Sequence, residues 1–165
     1  MKQQYLDYVH YTKWANNRLI SDLERTDLQL LDSDMGSSFL SIRETVKHIW
    51  LGEEGWLSRL QGGPWATPRL DACSGTAAEL FVGWQRTTSA LVDFVQSADL
   101  EELVHFEHEG RVYDIPAREI VQTVCNHGSY HRGQVVTMLR QQGVSEVSQT
   151  DYIRWVRDLI LENQD

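Results

Sequence analysis

Two histidines four residues apart, in His127-Gly128-Ser129-Tyr130-His131, are the residues of this chain best placed to do chemistry. On a helix they project from one face, one turn apart, so both rings can address a single point. Two imidazoles presented that way make two ligands for a transition metal. Ile120, Val124, His127, His131, Val135 and Met138 recur at helical spacing, which places the pair inside an apolar stripe. A buried polar group without a partner costs roughly 1–3 kcal/mol. A shared metal would satisfy both rings, and so would ordinary hydrogen bonds within a core.

A mononuclear site with an open position needs a third ligand. His48 is the best candidate, at the edge of a second apolar stripe formed by Ile42, Val46, Ile49, Trp56 and Leu60. Gly52 and Gly55 follow it on the same side of that helix. Mid-helix glycine costs on the order of 1 kcal/mol against alanine, so two of them call for a reason. Close helix packing is one reason, and an open cleft beside His48 is the other. Glu53 lies at the centre of this stripe, and Asn16 at the centre of the first helix's stripe. A buried carboxylate must be paired or protonated. Glu53 is thus a candidate to hold a ligand's second nitrogen or act as a base, or else a structural partner for Asn16, Arg132 or a Trp indole.

The remaining histidines and cysteines point elsewhere. His10 has no partner on its helix, and His105 and His108 flank a turn and are expected to be exposed. Cys125 is two residues from His127 and reads as core. Cys73 lies in a Gly/Pro-rich stretch with no geometric support for a role.

Five helices must position these residues. The first runs from about Gln4 to Leu23, with a stripe of Tyr5, Val9, Thr12, Asn16, Leu19 and Leu23. The second runs from Ile42 to Leu60, opened by a capping box at Ser41-Ile42-Arg43-Glu44 and stopped by Gly62-Gly63-Pro64. The third follows another capping box, Thr76-Ala77-Ala78-Glu79. Val104–His108 and Arg111–Ile115 flank Glu109-Gly110 and predict a hairpin with a two-residue turn. The fourth helix is expected to begin at Pro116 and to end near Gln142, before Gly143. The fifth covers about Asp151 to Glu162, with Thr150 as cap. The pattern predicts an all-α protein: a four-helix bundle with an additional C-terminal helix and a hairpin between the third and fourth helices. An up-down-up-down path and a crossover are both compatible with the connections.

Bulk composition narrows the function. The 165 residues are enough for one domain spanning 1–165, with 41% apolar and 24% charged residues. Twenty-four acidic against fifteen basic residues leave a net charge of −9, which argues against nucleic acid or an anionic membrane as partner. No signal-peptide core follows Met1, and a cytoplasmic location is expected. Position 128 is Gly, so a His-Glu-x-x-His protease is disfavoured. Paired Glu-x-x-His motifs, a P-loop, a Gly-x-Ser-x-Gly elbow and a dinucleotide fingerprint are missing.

Asn126-His127-Gly128-Ser129-Tyr130-His131-Arg132-Gly133-Gln134 resembles the signature of the DinB/YfiT-like metalloenzyme family, related to bacillithiol S-transferases. Tyr11-Thr12-Lys13-Trp14-Ala15-Asn16, His48-Ile49 with Glu53, Trp56-Leu57 and Arg59, and Gln149-Thr150-Asp151-Tyr152-Ile153 extend the similarity over nearly the whole chain. The resemblance implies a bundle, often homodimeric, with zinc or nickel held by His48, His127 and His131. It also implies a small-molecule thiol and an electrophile as substrates. The family's link to DNA damage concerns expression and implies no DNA binding. The leading expectation is therefore a thiol S-transferase. Metal-assisted hydrolysis with Glu53 as base and a non-catalytic, metal-stabilised binding protein are the alternatives. Trp14, off the first helix's stripe, would mark an interface in the latter. Histidine ligation predicts metal affinity that falls with pH through the imidazole range, near ~6.5.

Overall fold

Long amphipathic stripes, rather than intrinsic propensity, account for the architecture. The computed structural model describes residues 2–66 and 75–162. Its elements are α1 (Lys2–Glu24), α2 (Leu28–Asp32), α3 (Ile42–Leu60), α4 (Ala77–Ser97), β1 (Leu103–His108), β2 (Arg111–Pro116), α5 (Ala117–Gln141) and α6 (Tyr152–Glu162). The fold is all-α apart from the two-stranded antiparallel hairpin, as expected. No helix among the described residues is long and apolar enough to cross a membrane.

The caps behave as their sequences predict. Ser41 accepts from the Glu44 backbone N–H, and Thr76 and Glu79 form a complete capping box. Glu109 and Gly110 both adopt positive φ, 51° and 71°, as a two-residue hairpin turn requires. Two boundaries differ. Pro116 ends β2 and precedes the helix, which begins at Ala117. Asp151, not Thr150, occupies the position before α6, and the Thr150 carbonyl accepts from the Tyr11 hydroxyl instead. The five-residue α2 was not expected, because it is too short to show a period. Asp27 caps it by accepting from the Gln29 N–H, and Leu31 buries its side chain.

Contacts between elements decide the topology. Lys2 at the start of α1 bonds the Ala98 carbonyl beyond the end of α4, so these helices are antiparallel. Trp50 on α3 bonds Thr87 on α4, and Leu60 and Phe94, further along each helix, line one cavity, so α3 and α4 run parallel. Leu60 also meets Ala117 at the start of α5, so α3 and α5 are antiparallel. The four long helices therefore run up-down-down-up, and the crossover falls between Gln61 and Thr76. The first two long helices, α1 and α3, lie diagonally, while α3 and α5 are neighbours.

The core has two parts. Leu19, Ile49, Trp84 and Leu139 belong to one; Val9, Leu91, Val121 and Val124 belong to the other, which the hairpin closes with Val104, Phe106 and Ile115. Between them, at mid-height, lies a buried polar layer that includes Asn16, Glu53, Thr88 and Arg132.

Candidate metal centre

His48 projects from α3 toward α5, where His127 and His131 stand one turn apart. Each ring offers a nitrogen, and the three lie within 4.8 Å of one another. His48 Nε2 and His127 Nε2 are 2.9 Å apart. The ring centroids are separated by 4.4 to 4.8 Å. His131 Nδ1 sits 2.7 Å from Gln134 Oε1. An amide oxygen only accepts, so Nδ1 carries the proton and Nε2 keeps its lone pair.

These donors fit a metal. A tetrahedral zinc with ordinary Zn–N bonds needs nitrogens about 3.3 Å apart, which lies between the 2.9 Å His48–His127 separation and the 4.8 Å spread of the three. The set is all imidazole, with no carboxylate or thiol in the group among the described residues. That chemistry suits zinc or nickel rather than magnesium or calcium. Burial lowers the pKa of His127 to about 4, helped by the neighbouring His131 and His48. Burial, then His131, also lowers that of His48. Both rings are neutral at pH 7, the form that binds a metal.

The surroundings correct the idea of a cleft carved by two glycines. A Cβ on Gly52 would stand 3.0 Å from His127 Cε1, so this glycine makes room for the ligand itself. A Cβ on Gly55 would stand 2.4 Å from the Trp65 indole, which fills that space. Gly52→Ala therefore separates two effects. The helix gains up to about 1 kcal/mol of propensity, while His127 must tilt. Metal affinity is expected to fall about tenfold with the melting temperature unchanged or raised, as read by competitive chelator titration and thermal unfolding.

Glu53 and Asn16 lie close by but do not serve the ligands. Glu53 accepts from Asn16 Nδ2 and Trp84 Nε1 at 3.0 Å and from Thr88 Oγ1 at 2.7 Å. Asn16 Oδ1 accepts from Arg132 Nη1, and Arg132 Nη2 donates to Ser129. Asn16 thus bridges a buried carboxylate and a buried guanidinium. Burial pushes the Glu53 carboxyl upward, against the hydrogen bonds from Thr88, Trp84 and Asn16 and the Arg132 charge. Its oxygens bond none of the three imidazoles, so the role of holding a ligand's second nitrogen passes to Gln134, on His131. Gly128, between the two ligands, lets Arg132 approach: a Cβ there would meet Nη1 at 3.0 Å.

The other residues fall as expected from sequence. His10, His105 and His108 are exposed. Cys125 is fully buried, and desolvation raises its pKa to about 12, which makes it inert. Cys73 lies outside the described residues. Trp14 is half-buried against Tyr11 and Trp155, with Arg18 over its ring. Sequence reasoning missed Phe39, which stacks on His48 at 4.0 Å and meets His131 edge-on at 5.4 Å. No periodicity marks a loop residue. It also missed Gln134, although its place three residues after His131 was a usable signal.

The comparisons with known proteins agree with the fold and give its family. The family model described as "DinB family" matches residues 1–160. Protein DinB of Bacillus subtilis (strain 168) is 24% identical over 151 residues, covering 86% of this chain and 87% of that protein. The crystal structure of a DinB-like protein from Bacillus cereus ATCC 10987 superposes with a TM-score of 0.64 at 20% identity, over 88% of this chain and 97% of that one. A DinB-like protein from Bacillus subtilis gives 0.59 at 16% identity, over 91% and 96%. At these identities the structures support the fold alone, but the match of the family model over nearly the full length places this chain in the DinB family.

Proposed function

We propose that the protein is a metal-dependent thiol S-transferase, binding zinc or nickel through His48, His127 and His131 and joining a low-molecular-weight thiol to an electrophile. The observation that carries this reading is three convergent imidazoles with no carboxylate among them. A divalent ion so held keeps its full charge and favours the thiolate form of a thiol placed on it. The chain's own residues hold and shield that position. Gln134 fixes the His131 tautomer, and Phe39 and Tyr130 pack against His48 and His131. Hydrolysis is less well supported, since it needs a base and the Glu53 oxygens are taken up by Asn16, Trp84 and Thr88.

The test is conjugation of chlorodinitrobenzene to a panel of small thiols at pH 7. A thiol of ordinary pKa is about 3% ionised there, so complete ionisation is worth about 30-fold, less the nucleophilicity lost with basicity. An acceleration of roughly tenfold is expected for metal-loaded protein and none for His48→Ala. Metal-loaded protein without effect on any thiol, or on an extended set of electrophiles, removes this function and leaves the metal site standing.

A further inference from the structure

We propose a second binding site, for a planar aromatic carboxylate, where Arg59 meets Trp56, Trp65 and Phe106. The Arg59 guanidinium carbon lies 4.1 Å from the Phe106 ring centre, 4.8 Å from that of Trp65 and 5.3 Å from that of Trp56. Trp56 meets the other two rings edge-on, at 5.3 and 5.6 Å. These four residues and His108 line a cavity of about 330 Å³, at the small end of the range for ligand sites.

Among the described residues, the charge at this place lacks a counterpart. The chain carries nine more acids than bases. Arg18, Arg25, Arg43, Arg118 and Arg154 all pair with carboxylates. Arg59 has no such partner among the described residues. Its one hydrogen bond among the described residues is a long one, 3.4 Å from Nη2 to the Glu107 carbonyl. Aromatic rings accept the face of a guanidinium, while its in-plane N–H groups form a fork that matches a carboxylate. Here the rings are supplied, and no carboxylate among the described residues meets the fork. The apolar walls call for an aromatic body behind that carboxylate, since a small anion would leave them uncovered.

The site is placed with respect to the triad. His48, Gly52, Gly55 and Arg59 recur at intervals of four, three and four and share one face of α3, about 16 Å from end to end. The Trp65 indole lies on Gly55 and the His127 ring on Gly52, so one wall of the cavity and one ligand of the triad cover neighbouring glycines of that face. The binding site does not depend on what the triad holds.

Calorimetric titration of the whole protein with 2-naphthoate, with 2-naphthamide and acetate as controls, tests it. The metal-stripped parent is expected to bind naphthoate saturably, and the amide and acetate at least about tenfold more weakly, the discrimination a charge-assisted bidentate contact supports. Arg59→Gln should lose a similar factor, Arg59→Lys less, and His127→Ala nothing. Absence of saturable binding to the parent, or equal binding of naphthoate and its amide, overturns the proposal. So does loss of binding in His127→Ala, which would assign the carboxylate to the triad. The parent comparison decides even if an Arg59 variant fails to fold.

Discussion

Protein purified without chelator is expected to carry about one zinc or nickel ion per chain, and His127→Ala to carry none under the same conditions. Structural zinc sites with three or four protein ligands are worth about 10–16 kcal/mol, or some 3–4 kcal/mol per ligand. Removing one of three should weaken binding on the order of a hundredfold to a thousandfold, enough to lose the ion on a desalting column. The half-buried His127 belongs to no core cluster, so the circular dichroism of the variant should stay helical. Elemental analysis of both proteins decides the matter. A parent that stays metal-free after reconstitution would make the three rings a hydrogen-bonded cluster. The pH dependence sharpens the test. The pKa values of His127 and His48 are lowered, so protons begin to displace a metal from them below the ordinary imidazole range rather than at ~6.5. Occupancy should persist at pH 6 and fall toward pH 4.

Glu53→Ala is expected to destabilise the metal-free protein by about 3–5 kcal/mol, the cost of leaving one member of a buried charged pair alone. Glu53 is wholly buried and Arg132 nearly so, and Asn16 connects them. Removing the carboxylate strands Trp84 Nε1, costs Asn16 Nδ2 one of its two hydrogen bonds and leaves the Arg132 charge without its counter-charge in the centre of the bundle. Glu53→Gln should be milder, about 1–2 kcal/mol. It keeps the oxygen that Asn16 and Trp84 donate to, and its amide can donate to Thr88. The upward shift of the Glu53 pKa reflects the cost of burying this charge, which the neutral amide avoids. Denaturant unfolding of the chelator-treated variants measures both. An alanine variant within 1 kcal/mol of the parent would show that the polar layer contributes little.

Much of this was legible before any coordinates. Ser41 and Thr76 announced their helices because capping is local, and Glu109-Gly110 announced the hairpin because positive φ restricts residue choice. The 127/131 pair was legible because helical spacing alone puts both rings on one face. His48 was reachable as an edge-of-stripe histidine above two costly glycines. The part those glycines play was not, since only the partner helix shows that His127 fills the space at Gly52 and Trp65 that at Gly55.

By itself, then, the sequence determined what depends on short spacing: the long helices, the caps, the turn, and the histidines able to ligate together. Tertiary structure alone decided the rest. It chose up-down-down-up because stripes state which face is apolar, not which neighbour covers it. It committed Glu53 to Asn16, Thr88 and Trp84, residues 37, 35 and 31 positions away. It brought Phe39 over His48 and Phe106 under Arg59, because contacts between a loop or hairpin and a helix leave no period in the chain.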